Sequence, residues 1–167
     1  MDVEAAVLSH RALFGASIDE HSCFNSQVQP ILFAGARALG APEGLVSAQE
    51  RFCQGLMRAY RYGRSLGIWW TALRGIAQGC ALSIIWIAIP AQVWLQALEA
   101  AHPTVKAGVF IDDRSIRGAQ QSEVVAALAT TTVVDRDQGK LSNPEKSDIW
   151  TARPEDLRRR LSSRPPR

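Results

Sequence analysis

With 167 residues, a formal charge of +3, 47% hydrophobic and 21% charged residues, the chain has the make-up of one globular domain able to bury a core. A pI near 9.0 permits a nucleic-acid partner without requiring one. Three dispersed cysteines (Cys23, Cys53, Cys80) and three scattered histidines exclude a disulfide framework and a zinc site, and fit a reducing, intracellular setting. The first ten residues carry Asp2, Glu4 and His10 and lack the apolar core of a signal peptide. Much of the basic excess lies in residues 153–167, an Arg/Pro-rich run read as a disordered, solvated tail, with a phosphate-contacting arm as the lesser reading.

In chain order, residues 2–12 carry an amphipathic helical pattern (Val3, Ala6, Val7, Leu8). Leu13 to Ile18 reads as a strand running into Asp19. Helical spacing from Val28 to Leu39 stops at Gly40 and Pro42. A second helix is expected over 44–62, with Leu45, Phe52, Leu56, Met57 and Tyr60 inward. Ser65 to Leu73, with Trp69 and Trp70, reads as strand or hairpin. A glycine-containing turn, Arg74 to Gly79, precedes a long apolar helix from Leu82 to Ala101. Ala81 to Leu98 barely reaches spanning length and is interrupted by Ser83, Pro90, Gln92 and Gln96, so a buried core helix is expected and no membrane partner. A hairpin built on Val105–Val109 and Arg114–Gly118, a helix over 121–134 and a strand over 146–151 complete the order. The expected fold class is α+β: a small, mostly antiparallel sheet with helices packed on one face.

Phe110-Ile111-Asp112-Asp113 sits at the tip of that last hairpin. Two adjacent acids there are costly unless a cation neutralises them, and carboxylates are natural Mg²⁺ ligands. Taken alone, the tetrapeptide is better read as a plain turn. Three further segments bear on it. Ile18-Asp19-Glu20-His21-Ser22-Cys23-Phe24-Asn25 sets an acid at a strand end and an aromatic five residues later. Gly75-Ile76-Ala77-Gln78-Gly79-Cys80-Ala81-Leu82-Ser83 is a flexible turn with an amide entering a buried helix. Leu141-Ser142-Asn143-Pro144-Glu145-Lys146-Ser147 delivers a lysine ahead of a strand. Each has a plain reading: a helix-capping acid, a turn, a surface lysine.

In this order the four segments resemble motifs A, B, C and D of the palm of reverse transcriptases, particularly the non-LTR retrotransposon and group II intron branch. The resemblance covers roughly Leu13 to Trp150. It implies a palm domain over 1–152 followed by the 153–167 tail. It implies that Asp19, Asp112 and Asp113 hold two Mg²⁺ ions (Mn²⁺ as the alternative) for nucleotidyl transfer of dNTPs to a primer 3′-hydroxyl. Phe24 would lie under the sugar and favour dNTPs. Gln78 would contact the incoming nucleotide, with the Gly79 backbone allowing close approach, and Lys146 would donate a proton to pyrophosphate. The partners implied are an RNA template and a DNA primer, and the setting nuclear.

The chain departs from the motifs at Asn25, where the family has Asp, and at Ala77 and Ala81, where it has Pro. Met1 lies 18 residues before Asp19, so the sequence reads as an excised palm lacking fingers and thumb, with a separate chain as their possible source. Two competing readings follow: a folded remnant that does not polymerise, and an RNA-templated RNA polymerase, against which Phe24 argues.

Overall fold

The computed structural model describes residues 12–152. The helical pattern read over residues 2–12 falls almost wholly outside the described residues, and the 153–167 tail wholly so. A four-stranded antiparallel sheet forms the base, running across it in the order Lys106–Phe110, Asp113–Gly118, Phe14–Asp19, Asp148–Thr151. Its strands are β1 (Phe14–Asp19), β6 (Lys106–Phe110), β7 (Asp113–Gly118) and β8 (Asp148–Thr151). The central strand β1 pairs with β7 on one side, from Phe14↔Gly118 to Asp19↔Asp113, and with β8 on the other, from Phe14↔Thr151 to Ser17↔Asp148. Gly15 faces Trp150 across the ladder, and the indole occupies the space a Cβ at Gly15 would need.

Successive side chains on a strand point to opposite faces. Ala16 and Ile18 on β1, with Arg114 and Ile116 on β7, are buried on the inner face. Among the described residues five helices accompany the sheet: α1 (Cys23–Ser26), α2 (Gln29–Ala38), α3 (Glu43–Gly55), α4 (Ser83–Ala101) and α5 (Gln121–Asp137). The α+β class holds.

Two clusters make the core. One joins Cys23, Leu32, Phe33, Ala36, Val46, Cys53, Ile76, Trp86 and Ile87 among the helices, with Phe33 edge-on to Trp86. The other joins Ala16, Ile18, Trp94, Leu98, Val105, Ile116, Val124 and Ala127 between sheet and helices. Helix α4 belongs to both, with Pro90 buried between its two halves. It is long and apolar enough to cross a bilayer, but it is not buried all round: Trp86, Ile87, Trp94 and Leu98 form a buried stripe, and Ile84 and Ile85 are exposed. The threonines of α5 are accommodated because Thr131 and Thr132 donate to the carbonyls of Ala127 and Leu128, and Thr131 also accepts from the Trp94 indole.

The second helix differs from its expectation. It ends at Gly55 rather than Tyr62, and its buried stripe is Val46, Gln49 and Cys53. Leu45, Phe52, Met57 and Tyr60 are exposed, and Leu56 is half-buried. The reason is spacing: 46, 49 and 53 lie on one helical face, and that face contains a glutamine. The chain released at Gly55 forms an arm, a long broken hairpin. Its outer rungs are β2 (Met57–Arg58) with β5 (Trp70–Thr71), and its inner rungs β3 (Arg61–Tyr62) with β4 (Ser65–Leu66). The hairpin expected over 65–73 is thus only the returning half of a larger one.

Candidate functional site

The site lies where β1 and β7 end together. Asp19 and Asp113 are direct cross-strand partners, and Phe110 pairs with Asp113 beside them. Directly opposed like charges destabilise a ladder unless something offsets them. Among the described residues, none of Asp19, Asp112 and Asp113 has an ion-pair partner. Ile111 and Asp112 form the two-residue loop. Ile111 takes φ 60°, costly for a β-branched side chain, while Asp112 keeps a negative φ. A positive φ at the first loop residue alone is the φ pattern of a type II′ hairpin turn.

Alternation along the strands sorts the carboxylates. Asp19 and Asp113 face the open side of the sheet, where they line a depression of about 540 Å³ with Ser17, Phe110, Ser115 and Lys146. A second depression, of about 360 Å³, lies round the strand end and is lined by Asp19, Phe24, Asn25, Gln78, Asp112 and Lys146, among others. Asp19 and Lys146 belong to both. The structure therefore brings Asp19, Phe24, Gln78, Asp112 and Lys146 together and puts Asp113 round the corner, reached through Asp19.

Beneath this rim Asp19 and Asp113 are each followed by a buried charge, Glu20 and Arg114. Glu20 accepts from Lys140 at 2.8 Å and from Ser26 and Gln27, with both charged side chains almost fully enclosed. Arg114 makes a bidentate pair with Asp135 at 2.6 and 2.8 Å and lies over the Trp94 ring, while Ser142 donates to the same Asp135 carboxylate. Bidentate geometry is the strongest form of this contact. The segment 135–142 thus anchors both strand ends from below. Backbone bonds complete the attachment, with His21 N–H donating to the Leu141 carbonyl and Asn143 N–H to that of Asp19.

The turn that carries Gln78 is docked on α1. Gly75 N–H donates to the Gln27 carbonyl and Ile76 N–H to that of Phe24. Gly75 has φ +83°, and a Cβ there would press on the Asn25 backbone, so glycine is required. Gly79, at φ +92°, faces open space and leaves its backbone approachable. Ser83 at the start of α4 donates back to the Ala77 carbonyl. Burial, with Glu20 adding its charge, pushes the Cys23 thiol up to about 12, so it stays neutral under the site.

Sequence reasoning missed Gly75 and the two buried ion pairs. Parity held a signal for the pairs: continuing the inward positions Ala16 and Ile18, and stepping back from Ile116, points Glu20 and Arg114 into the core.

Among the described residues no three His, Cys, Asp or Glu side chains converge closely enough to hold a metal between them. The donor chemistry nonetheless suits Mg²⁺, which is commonly bound by one or two carboxylates plus substrate phosphates. Unpaired Asp19 with Asp112, or with Asp113, offers such a set.

No protein-family model matches the sequence, and no curated protein matches it at a significant level. Solved structures do match. Telomerase from Candida tropicalis in complex with a TWJ fragment of telomeric RNA superposes with a TM-score of 0.70 at 12% identity, over 89% of this chain and 28% of that one. Telomerase from Candida albicans, also with a TWJ fragment of telomeric RNA, gives 0.67 at 14% identity over 89% and 29%. Apo telomerase from Candida tropicalis without its C-terminal domain gives 0.60 at 13% over 89% and 33%. At such identities the likeness is one of fold alone: the chain shares the fold of part of these telomerase structures. The chain spans about a third of the length of these neighbours.

Proposed function

We propose that the chain is the palm of an RNA-directed DNA polymerase of retroelement type, transferring dNTPs to a primer 3′-hydroxyl on an RNA template. One observation carries the reading: a single depression collects Asp19, Phe24, Gln78, Asp112 and Lys146 from four separate stretches of sequence. The telomerase neighbours, two of them bound to RNA, support the same class. Asp19, Asp112 and Asp113 would hold Mg²⁺ or Mn²⁺, which when bound acidifies the primer hydroxyl and neutralises the phosphates. The chain's own contribution is positioning. Phe24 forms the floor under the sugar and leaves no room for a 2′-hydroxyl. Gln78 offers its amide to the nucleotide, and the bare Gly79 backbone lets the nucleotide come close. Lys146, between the two depressions, gives its proton to the departing pyrophosphate.

The test is Mg²⁺-dependent extension of a DNA primer on an RNA template by the full chain, or by the longer protein carrying it. Asp112→Asn is expected to abolish extension, and unchanged extension by that variant refutes the assignment. The opening of Asp112 and Asp113 onto different depressions favours a second reading, a folded remnant that incorporates nothing. Robust dNTP incorporation by the wild-type chain excludes it.

A further inference from the structure

The arm at 57–71 has no role in the proposed chemistry, yet it is the most unusual surface of the molecule. Tyr60 is 78% exposed, Tyr62 92% and Ile68 90%, with Trp69 and Trp70 beside them. Tyr60 and Trp70 lie 6.1 Å apart across the hairpin with their rings tilted by 31°. Between residues 51 and 98 the sequence has five arginines and no Asp or Glu. Four of those arginines, Arg58, Arg61, Arg64 and Arg74, are interleaved with the aromatics. Among the described residues none of the four makes an ion pair.

Large exposed apolar surface on a folded chain marks an interaction site. Here the charge decides which kind. Guanidiniums that pair with no acid, set among flat exposed rings along one arm, have the make-up of a platform for single-stranded nucleic acid: bases stack on the rings while phosphates meet the arginines. Duplex bases are already stacked and offer no such faces. Position points the same way. Arg58, Tyr60, Trp70, Leu73 and Arg74 line a depression of about 770 Å³ that also includes Asn25. Asn25 lines the Asp19–Asp112 depression too, so the two adjoin at that residue.

We infer that the arm is a binding platform for single-stranded RNA or DNA leading to the candidate site. The inference extends the proposed function, and its test needs neither catalysis nor metal. Fluorescently labelled 20-nucleotide oligo-dT and oligo-rU, and a blunt duplex of equal length, are titrated with the full chain over a range of salt concentrations. Both single strands should bind, and more tightly than the duplex; their ratio shows which sugar is preferred. Tyr62→Ala and Trp69→Ala should each weaken binding by roughly 5- to 150-fold. Arg61→Gln and Arg64→Gln should each flatten the salt dependence by about 0.7 in the log–log slope. Because these substitutions lie in the arm, they separate its contribution from that of the Arg158–Arg160 run.

The binding assay contains neither metal nor dNTP, so a failure of polymerisation leaves the platform standing. Three results overturn it: single strands that do not bind, arm variants that bind undiminished, or duplex binding as tight as single-strand binding. Self-association that Trp69→Ala abolishes, in a chain that binds no oligonucleotide, would assign the face to a protein partner instead.

Discussion

The underside of the candidate site and the arm are inverted images of one another. Beneath Asp19 and Asp113, four charged side chains are enclosed in the protein as two ion pairs, Glu20 with Lys140 and Arg114 with Asp135. On the arm, tyrosines, tryptophans and isoleucine stand in solvent beside arginines that pair with no acid. Charge inside and apolar surface outside both run against ordinary partition. The buried pairs spend most of their polar atoms on each other and on Ser26, Gln27 and Ser142, although the Arg114 Nε has no partner, and they tie the strand ends down. The arm is open on both counts, charge and surface. Residue type alone does not mark function here; unsatisfied residues do.

The largest effects should come from breaking the closed side. Arg114→Leu strands the Asp135 carboxylate in the core and should cost about 3–5 kcal/mol in urea unfolding. Adding Asp135→Leu should recover much of that loss, because removing both charges of a buried pair is often near neutral. A double variant no more stable than Arg114→Leu alone would show that the two charges are not coupled as a pair.

A smaller effect should follow from pH. The Cys23 thiol ionises at about 12 in the fold against 9.0 ordinarily, chiefly because it is buried. A raised value means that its contribution is complete below pH 9 and is lost as pH climbs toward 12. Unfolding measured from pH 8 to 10.5 should show stability falling over that window, with a shallower fall in Cys23→Ala. Equal slopes would break the account.

The smallest effect should be on the arm. Tyr62→Ala removes a side chain in open solvent and should leave stability within about 0.5 kcal/mol. A loss above 2 kcal/mol would mean that the arm is packed, and the contrast would fail.

Much of this was legible in the sequence because it is local. The strand ending at Asp19, the hairpin at Phe110–Asp113 and the apolar helix before Pro103 all follow from short-range periodicity and punctuation, and the four motifs are contiguous. What escaped was set at a distance. Glu20 and Lys140 are 120 residues apart, Arg114 and Asp135 21 residues, and no spacing rule joins them. The arm was lost for another reason. Phe52, Leu56, Met57 and Tyr60 continue a passable helical rhythm, so the helix was carried through Gly55 into residues that belong to a hairpin. Exposed aromatics mimic a core stripe when only their spacing is read.

The placement of β1 also bears on how the chain is made. The central strand is among the first described residues, yet its outer partner, β8, lies about 140 residues later; at roughly 5–20 residues per second a ribosome takes on the order of 7–30 s to reach it. Until then β1 has an open edge, and the arm's aromatics have already left the exit tunnel. The nascent chain thus spends that interval with a bare strand and a greasy hairpin exposed together, the combination most open to mispairing before the fold closes.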